Sequence, residues 1–267
     1  MQWDNIESIM LREYWTYVGS RKIISILFIM VIYAIVIGIQ YISGPRALTA
    51  YSRELAMKQI SSSVSAFGIN SLDAEKMGDS VILLATMVVQ LPLTIAVFSY
   101  FATYNSVLMS FVRERILGTM EVLFSCPISE REIIWGKILA SATVGVATWA
   151  SLFLMNTVGI EAITLKGLGK IWVPTQNYII LSVLYPLSMT FLAIPVGILI
   201  STRMGKWFGE QAGGLVGVIP LLFVVLLPRI NVIDFFELVK VLVGVSVLTI
   251  FIFLKFLRIN RLSFIGG

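Results

Sequence analysis

Six apolar stretches without charged residues divide the chain, and more polar segments separate them. One helical crossing of a bilayer takes about 20 apolar residues, a length that most of these stretches reach. We therefore expect an all-α integral membrane protein with six transmembrane helices, at residues 23–42, 80–112, 138–160, 178–202, 212–228 and 241–254. An even number of crossings places both ends of the chain on the same side of the membrane.

Prolines inside these stretches predict interrupted helices. Pro92 lies in the second stretch, Pro186 and Pro195 in the fourth, and Pro220 in the fifth. Proline lacks an amide hydrogen and clashes with the preceding turn, so neighbouring helices must supply donors for the freed carbonyls. The second stretch is also about ten residues longer than a crossing requires, and we expect it to project into water at one end.

The basic residues favour cytoplasmic N- and C-termini. With the N-terminus inside, cytoplasmic segments hold twelve of the 20 Lys and Arg residues: Arg12, Arg21, Lys22, Arg113, Arg115, Arg131, Lys137, Arg203, Lys206, Lys255, Arg258 and Arg261. Residues 43–79 then form the long extracytoplasmic loop.

The first 22 residues lack the apolar core and cleavage site of a signal peptide. Wound as a helix, they place a set of apolar side chains on one side, and Trp and Tyr favour the membrane interface. We expect residues 1–22 to form an interfacial helix with this stripe: Trp3, Ile6, Met10, Tyr14, Tyr17 and Val18.

The composition supports a membrane protein and excludes several chemistries. Of the 267 residues, 58% are hydrophobic and 13% are charged, whereas soluble domains are near half apolar and about a quarter charged. There is no histidine and a single cysteine, Cys126, so neither an intrachain disulfide nor a Cys/His metal cluster is expected. We attribute the net charge of +5 to cytoplasmic loops and expect no nucleic-acid binding.

No Asp, Glu, Lys or Arg lies inside the six stretches, although proton-coupled carriers usually need an ionisable group there. The Gly-Lys pairs at Gly136, Gly169 and Gly205 are not followed by Ser or Thr, so they do not form a phosphate-binding loop. We expect no cofactor in this chain. If it moves solute against a gradient, a separate soluble ATPase must bind the ATP and Mg²⁺.

A few polar residues lie inside the stretches and are candidates for a substrate path: Gln90, Tyr100, Tyr104, Asn105 and Asn156. The alternative is that they form hydrogen bonds between transmembrane helices, the commoner role of such residues.

The cytoplasmic loop at residues 113–137 combines an amphipathic helix, a break and a capped helix. Ile116, Leu117, Met120, Leu123 and Phe124 share one arc of the first helix. Pro127 ends this helix. Ser129 then begins the second helix as N-cap, with Glu132 completing a capping box. The polar arc of the first helix meets either a soluble partner or lipid headgroups.

Residues 114–140 resemble the signature of type-2 permeases of the ATP-binding-cassette transporters. The matching motifs are the acidic-basic start, Gly118-Thr119-Met120-Glu121, Pro127-Ile128-Ser129 and Gly136-Lys137. Cys126 departs from the small hydroxyl residue that is frequent in the family before the proline. Residues 7–24 and 200–221 are more loosely similar to the family's interfacial helix and its fourth-to-fifth-span loop.

The resemblance implies the permease subunit of an exporter in the cell membrane, without enzymatic activity of its own. Its partners would be an ATPase subunit and a second copy of the chain or a similar permease, with alternating access as the mechanism. Residues 113–137 would be the coupling helix region, with ATPase contacts or shaping roles at Glu114, Arg115, Gly118, Thr119, Glu121, Pro127, Ser129 and Glu132.

Two other classes remain open at this point. One is an autonomous membrane protein, such as a secondary carrier or a lipid scramblase. The other is an intramembrane enzyme, against which the lack of histidine and of paired intramembrane carboxylates argues.

Overall fold

The fold is that of a computed structural model. It describes residues 2–19, 80–85, 87–88, 91–117, 119–203 and 235–256, together with residues 28, 31–32, 34–35 and 76. The predicted spans at 23–42 and 212–228 and the predicted loop at 43–79 fall almost wholly outside these ranges.

Regular structure in the described ranges is entirely helical. In chain order the helices are α1 (Trp3–Gly19), α2 (Ser80–Ala85), α3 (Leu91–Ile116), α4 (Thr119–Ser125), α5 (Glu130–Leu168), α6 (Gln176–Ile179), α7 (Tyr185–Arg203) and α8 (Phe235–Phe256). A π-helical segment, Ile180–Leu184, joins α6 to α7.

Three helical segments are long and apolar enough to cross a membrane: Leu91–Val112, Glu130–Leu168 and Gln176–Ser201. They correspond to the second, third and fourth predicted spans. The helix α8 carries a shorter apolar stretch, Val239–Ile252, at the position of the sixth. These helices suggest a membrane protein, and the part of the chain described here contains three of the six predicted crossings.

The described parts of the second predicted span are all helical. They are α2 (Ser80–Ala85), the two π-helical residues Met87 and Val88, and α3, whose described part starts at Leu91 and includes Pro92. At its other end α3 continues to Ile116 and is followed by a turn at Leu117. The amphipathic helix predicted from residue 113 is therefore the end of α3 plus the short α4.

The third predicted span is the central part of a much longer helix. The helix α5 has 39 residues and ends at Gly169, whose φ of 65° is the left-handed conformation of a C-cap. At 1.5 Å per residue it is about 58 Å long, whereas the hydrocarbon core of a bilayer is about 30 Å thick. Both of its ends must therefore lie outside the apolar run 138–160.

The helices α3, α5 and α7 pack closely around a buried core. At Gly145 an added Cβ would overlap Oγ1 of Thr103 and lie 2.6 Å from Cγ2 of Thr190. Small residues at such contacts let helix backbones approach, as is common in membrane bundles.

The prolines of two neighbouring helices are matched by side chains of α5. Trp149 Nε1 donates to the carbonyl of Ser182 at 2.9 Å. Ser182 lies four residues before Pro186, which has no amide hydrogen to offer that carbonyl. Seven residues along α5, Asn156 Nδ2 donates to the carbonyl of Met87 at 3.0 Å, five residues before Pro92. One face of α5 thus supplies a donor near a proline of each neighbouring helix.

Candidate functional site

We call the segment between α3 and α5, residues 117–129, the elbow. At its junction with α5, the N-terminus of that helix is capped as predicted. Ser129 is extended, with φ −68° and ψ 144°, and its Oγ accepts from the backbone N–H of Glu132. Glu132 Oε2 in turn accepts from the N–H of Ser129 at 3.2 Å. The predicted capping box is confirmed, and α4 ends at Ser125, before Pro127.

One side of the elbow packs on the bundle and the other is open. Leu123 and Ile128 pack against the buried cluster that includes Phe111 and Ile133. On the open side, Leu117 is 60% exposed and Val122 is 64% exposed. Ser125, Cys126, Pro127 and Ser129 are also exposed. Leu123 and Ile128 therefore hold the elbow against the bundle, and the apolar and small polar side chains on its other side are exposed.

Behind the elbow lies a cluster of four charges centred on Lys137, whose side chain is fully buried. Its Nζ lies 2.7 Å from Glu13 Oε1 and 2.7 Å from Glu114 Oε2. It also donates to the carbonyl and the hydroxyl of Ser110, each at 3.1 Å. Arg12 Nη2 donates to the other oxygen of Glu114 at 2.9 Å. We call Arg12, Glu13, Ser110, Glu114 and Lys137 the charge cluster.

The charge cluster is electrically balanced, with two cations and two carboxylates. Ser110 completes it, because its hydroxyl donates to Glu13 Oε2 at 2.8 Å. A buried ammonium is tolerated only when such partners replace the water it has lost. The members come from α1, α3 and α5, so the cluster ties three helices together at one point.

A second contact holds the start of α1 against the start of α5. The carboxylate of Glu132 accepts from the backbone N–H of Gln2 and from Asn5 Nδ2. These bonds, that of Gln2 first, and those from Ser129 lower the pKa of Glu132 to about 2, against the opposing effect of desolvation. Glu132 precedes the apolar run of α5 and so lies outside the expected membrane-spanning part.

Apolar packing completes the seat of α1. Ile6 and Ile9 are buried, whereas Trp3 and Tyr14 are exposed. Of the predicted stripe, Ile6 packs on the bundle, and the contact of Trp3 and Tyr14 with the membrane interface stays a prediction. Ile9 lies outside the predicted stripe, and Gly136, which has no side chain, leaves room for it on α5.

A cavity of about 190 Å³ lies beside the charge cluster, between α1 and the long helices. It is lined by side chains of α1, such as Thr16 and Tyr17, of α3, such as Ser106, and of α5, such as Ser141. Of the long helices, α5 makes the most extensive contact with α1.

The structure turns two of the predicted docking residues inward. Glu114 is 7% exposed and Glu132 is 5% exposed, and both carboxylates bind groups of this chain. Their burial argues against direct contact with an ATPase, which was expected of Glu114, whereas Glu132 forms the predicted capping box. Thr119 is half-buried, lines the cavity and donates to the carbonyl of Glu114 at 3.4 Å.

The remaining docking predictions divide into two groups. Pro127 and Ser129 lie at the break between α4 and α5, where they were predicted to shape it, and both are exposed. Gly118 and the side chains of Arg115 and Glu121 lie outside the described residues.

The predicted substrate-path residues do not converge on one surface. Tyr100 and Tyr104 are buried in the core, with parallel rings 5.9 Å apart, and Asn105 is exposed. Asn156 is buried and bonded between helices, including to Tyr178 Oη at 3.3 Å, which fits the alternative role. Gln90 lies outside the described residues. None of these residues lines the cavity beside the charge cluster.

The partners of Lys137 were missed by the sequence analysis. Glu13 and Glu114 are 124 and 23 positions from Lys137 in the chain, and no short-range pattern links them. The available signal was the position of Lys137 itself, the last charged residue before an uncharged run of α5 that begins at Ile138. A lysine there must either reach the membrane surface or find buried carboxylates.

Comparison with known proteins adds no identification to this geometry. No protein-family model matches the chain, and no curated protein or solved structure matches it either.

Proposed function

We propose that this chain is the membrane-spanning permease subunit of an ATP-driven exporter, and that a separate ATPase docks on the elbow. The observation that carries the proposal is the short helix α4, which lies between the ends of α3 and α5 in the chain and exposes Val122 and Ser125. A push on α4 is expected to reach both of these long apolar helices. Such an arrangement suits the transfer of rigid-body movement from a soluble partner.

The open side of the elbow supports a protein contact. Leu117 and Val122 are large apolar side chains exposed on a short connecting helix and its preceding turn. Exposed apolar groups rimmed by polar ones are typical of protein–protein contacts. Pro127 and Ser129 complete the proposed surface, with Gly118, Arg115 and Glu121 as further sequence-based candidates.

The rest of the proposal follows from the resemblance of residues 114–140. The chain works with a second copy or a similar permease in the cell membrane, with both termini cytoplasmic. ATP and Mg²⁺ bind to the ATPase. Movement of the elbow then drives alternating access, and the chain itself catalyses no reaction.

The test is assembly with the ATPase and its loss on a single substitution. The chain is extracted in detergent from its native membrane, and the purified material is assayed for a bound ATP-binding-cassette subunit and for ATP hydrolysis. Val122→Arg places a charge on the open side of the elbow and should abolish both. Ile171→Arg is the matched control, because Ile171 is 74% exposed in the loop at the opposite end of α5.

Two results would contradict the proposal. The first is a wild-type chain that purifies without an ATPase and still moves solute or lipid across vesicles, which would favour the carrier or scramblase alternative. The second is an ATPase that stays bound to the Val122→Arg variant as tightly as to the wild type.

A further inference from the structure

The contacts that attach α1 to the bundle differ in kind along its length. Its first half is seated on α5 by Ile6, Ile9 and the bonds of Gln2 and Asn5 to Glu132. Its second half borders the cavity, and there Arg12 and Glu13 make its ionic contacts with the long helices.

These two residues reach different helices, although they are adjacent in the chain. Arg12 binds Glu114 at the end of α3, five residues before Thr119 begins α4. Glu13 binds Lys137 near the start of α5 and Ser110 on α3. The pair therefore joins α1 to α3 and α5, the two arms that flank the elbow. Its contacts lie where each of these helices leaves its apolar run.

We infer that α1 is a third moving arm of the elbow, and that Arg12 and Glu13 are the positioning residues that make it move with α3 and α5. Lys137 is the shared partner through which this link acts. When the elbow is displaced, α1 follows it as part of one rigid body. This inference rests on the proposed function for its coupling role, but the mechanical link can be tested without any ATPase.

The charge cluster offers a substitution that cuts the link and spares the bundle. Arg12→Met with Glu13→Gln removes one positive and one negative charge from α1. Lys137 and Glu114 remain paired with each other inside the bundle, so neither is left as an isolated buried charge. The matched control is Glu237→Gln with Lys240→Met, which removes an ion pair of 2.8 Å on the exposed side of α8.

The native Cys126 supplies a reporter site on the elbow, since it is the only cysteine and is exposed. Leu11→Cys, at an exposed position on α1, supplies the second. With a spin label on each, pulsed dipolar spectroscopy measures the distance between α1 and the elbow in the full chain. We expect one narrow distance distribution without the charge substitutions and with the control pair, and a broader one with added longer distances after Arg12→Met/Glu13→Gln.

A narrow, unchanged distribution in the Arg12→Met/Glu13→Gln protein would overturn the inference, because apolar packing alone would then fix α1. If that protein fails to fold, Arg12→Gln/Glu13→Gln, which removes both ionic contacts of α1 but keeps polar side chains, is measured with the same labels, and unchanged distances would again overturn it.

The coupling role is measured separately, in vesicles that contain the chain and its ATPase. Solute moved per ATP hydrolysed should fall several-fold with Arg12→Met/Glu13→Gln and stay at the wild-type value with the control pair. A mobile α1 with unchanged coupling would overturn the role in coupling. Failure of any ATPase to assemble with the wild type would instead overturn the proposed function and leave the distance result in place.

Discussion

A Cβ placed on Gly136 would lie 2.7 Å from the Cβ of Ile9, closer than two carbon atoms of packed side chains can approach. The two residues mark the point where α1 and α5 touch. Beside Gly136, Lys137 makes the ionic contact to the same helix. The adjacent Gly and Lys therefore both serve the seating of α1, one by steric room and the other by charge.

Gly136→Ala should push α1 away from α5 and destabilise the protein. Overpacking a close contact typically costs about 1–3 kcal/mol, which exceeds the gain of up to about 1 kcal/mol from replacing glycine within a helix. Thermal unfolding in detergent measures the change. The control is Gly244→Ala in α8, where an added Cβ meets nothing within 4 Å; equal midpoints for the two variants would contradict the close contact.

Gly145→Ala should be more damaging, because the added Cβ would overlap Oγ1 of Thr103 between α3 and α5. We expect a loss of about 3 kcal/mol or failure to assemble the bundle. Adding Thr103→Ala removes the overlapping hydroxyl and should restore part of the stability, although the Cβ of residue 103 remains 3.1 Å away. A double variant no more stable than Gly145→Ala would show that the clash lies elsewhere.

Trp149→Phe should reveal how much stability the hydrogen bond from Trp149 to Ser182 contributes beside Pro186. Without the indole N–H, the carbonyl of Ser182 loses the donor that compensates for proline, at a cost of about 0.5–2 kcal/mol for a bond between membrane helices. Pro186→Ala restores an amide hydrogen four residues after Ser182. In a double-mutant cycle, Trp149→Phe should therefore cost less in the Pro186→Ala background, and equal costs in both backgrounds would be the contrary result.

Acidification should weaken the bond between Glu132 and the start of α1. The folded chain lowers the pKa of Glu132 to about 2, against an ordinary value of 4.5. Its contribution to stability is thus complete above pH 4.5 and is lost as the pH falls toward 2. Unfolding midpoints of the wild type and of Glu132→Gln should differ most near neutral pH and converge in acid.

Asn5→Ala provides the check on this pH dependence. It removes one of the donors to the Glu132 carboxylate, so the pH-dependent part of the stability should shrink without disappearing, since Gln2 still donates. A pH profile identical to that of the wild type would exclude Asn5 from the effect.

Local features of this protein were predictable from its sequence. The capping box of Ser129 and Glu132 and the end of α4 before Pro127 both follow from contacts within a few residues. Such contacts depend on backbone chemistry that is the same in every protein, so a short pattern is enough to predict them.

The charge cluster could not be predicted in this way. Periodicity places Glu114 on the polar arc of a helix, but it cannot show that Arg12 and Lys137 lie beside that arc. Likewise, the apolar pattern of α1 does not single out Ile9, which is buried where Gly136 leaves room for it. The pairs that decide these two cases, Arg12 with Glu114 and Ile9 with Gly136, are each more than 100 positions apart in the chain.

The length of α5 suits it to act as a lever between the two surfaces of the membrane. At about 58 Å, the helix is in total about 28 Å longer than the hydrocarbon core requires. If it pivoted near its middle, a tilt of about 10° would move each tip by about 5 Å. The tip that carries the elbow and the seat of α1 and the tip at the opposite surface would then move by equal distances in opposite directions.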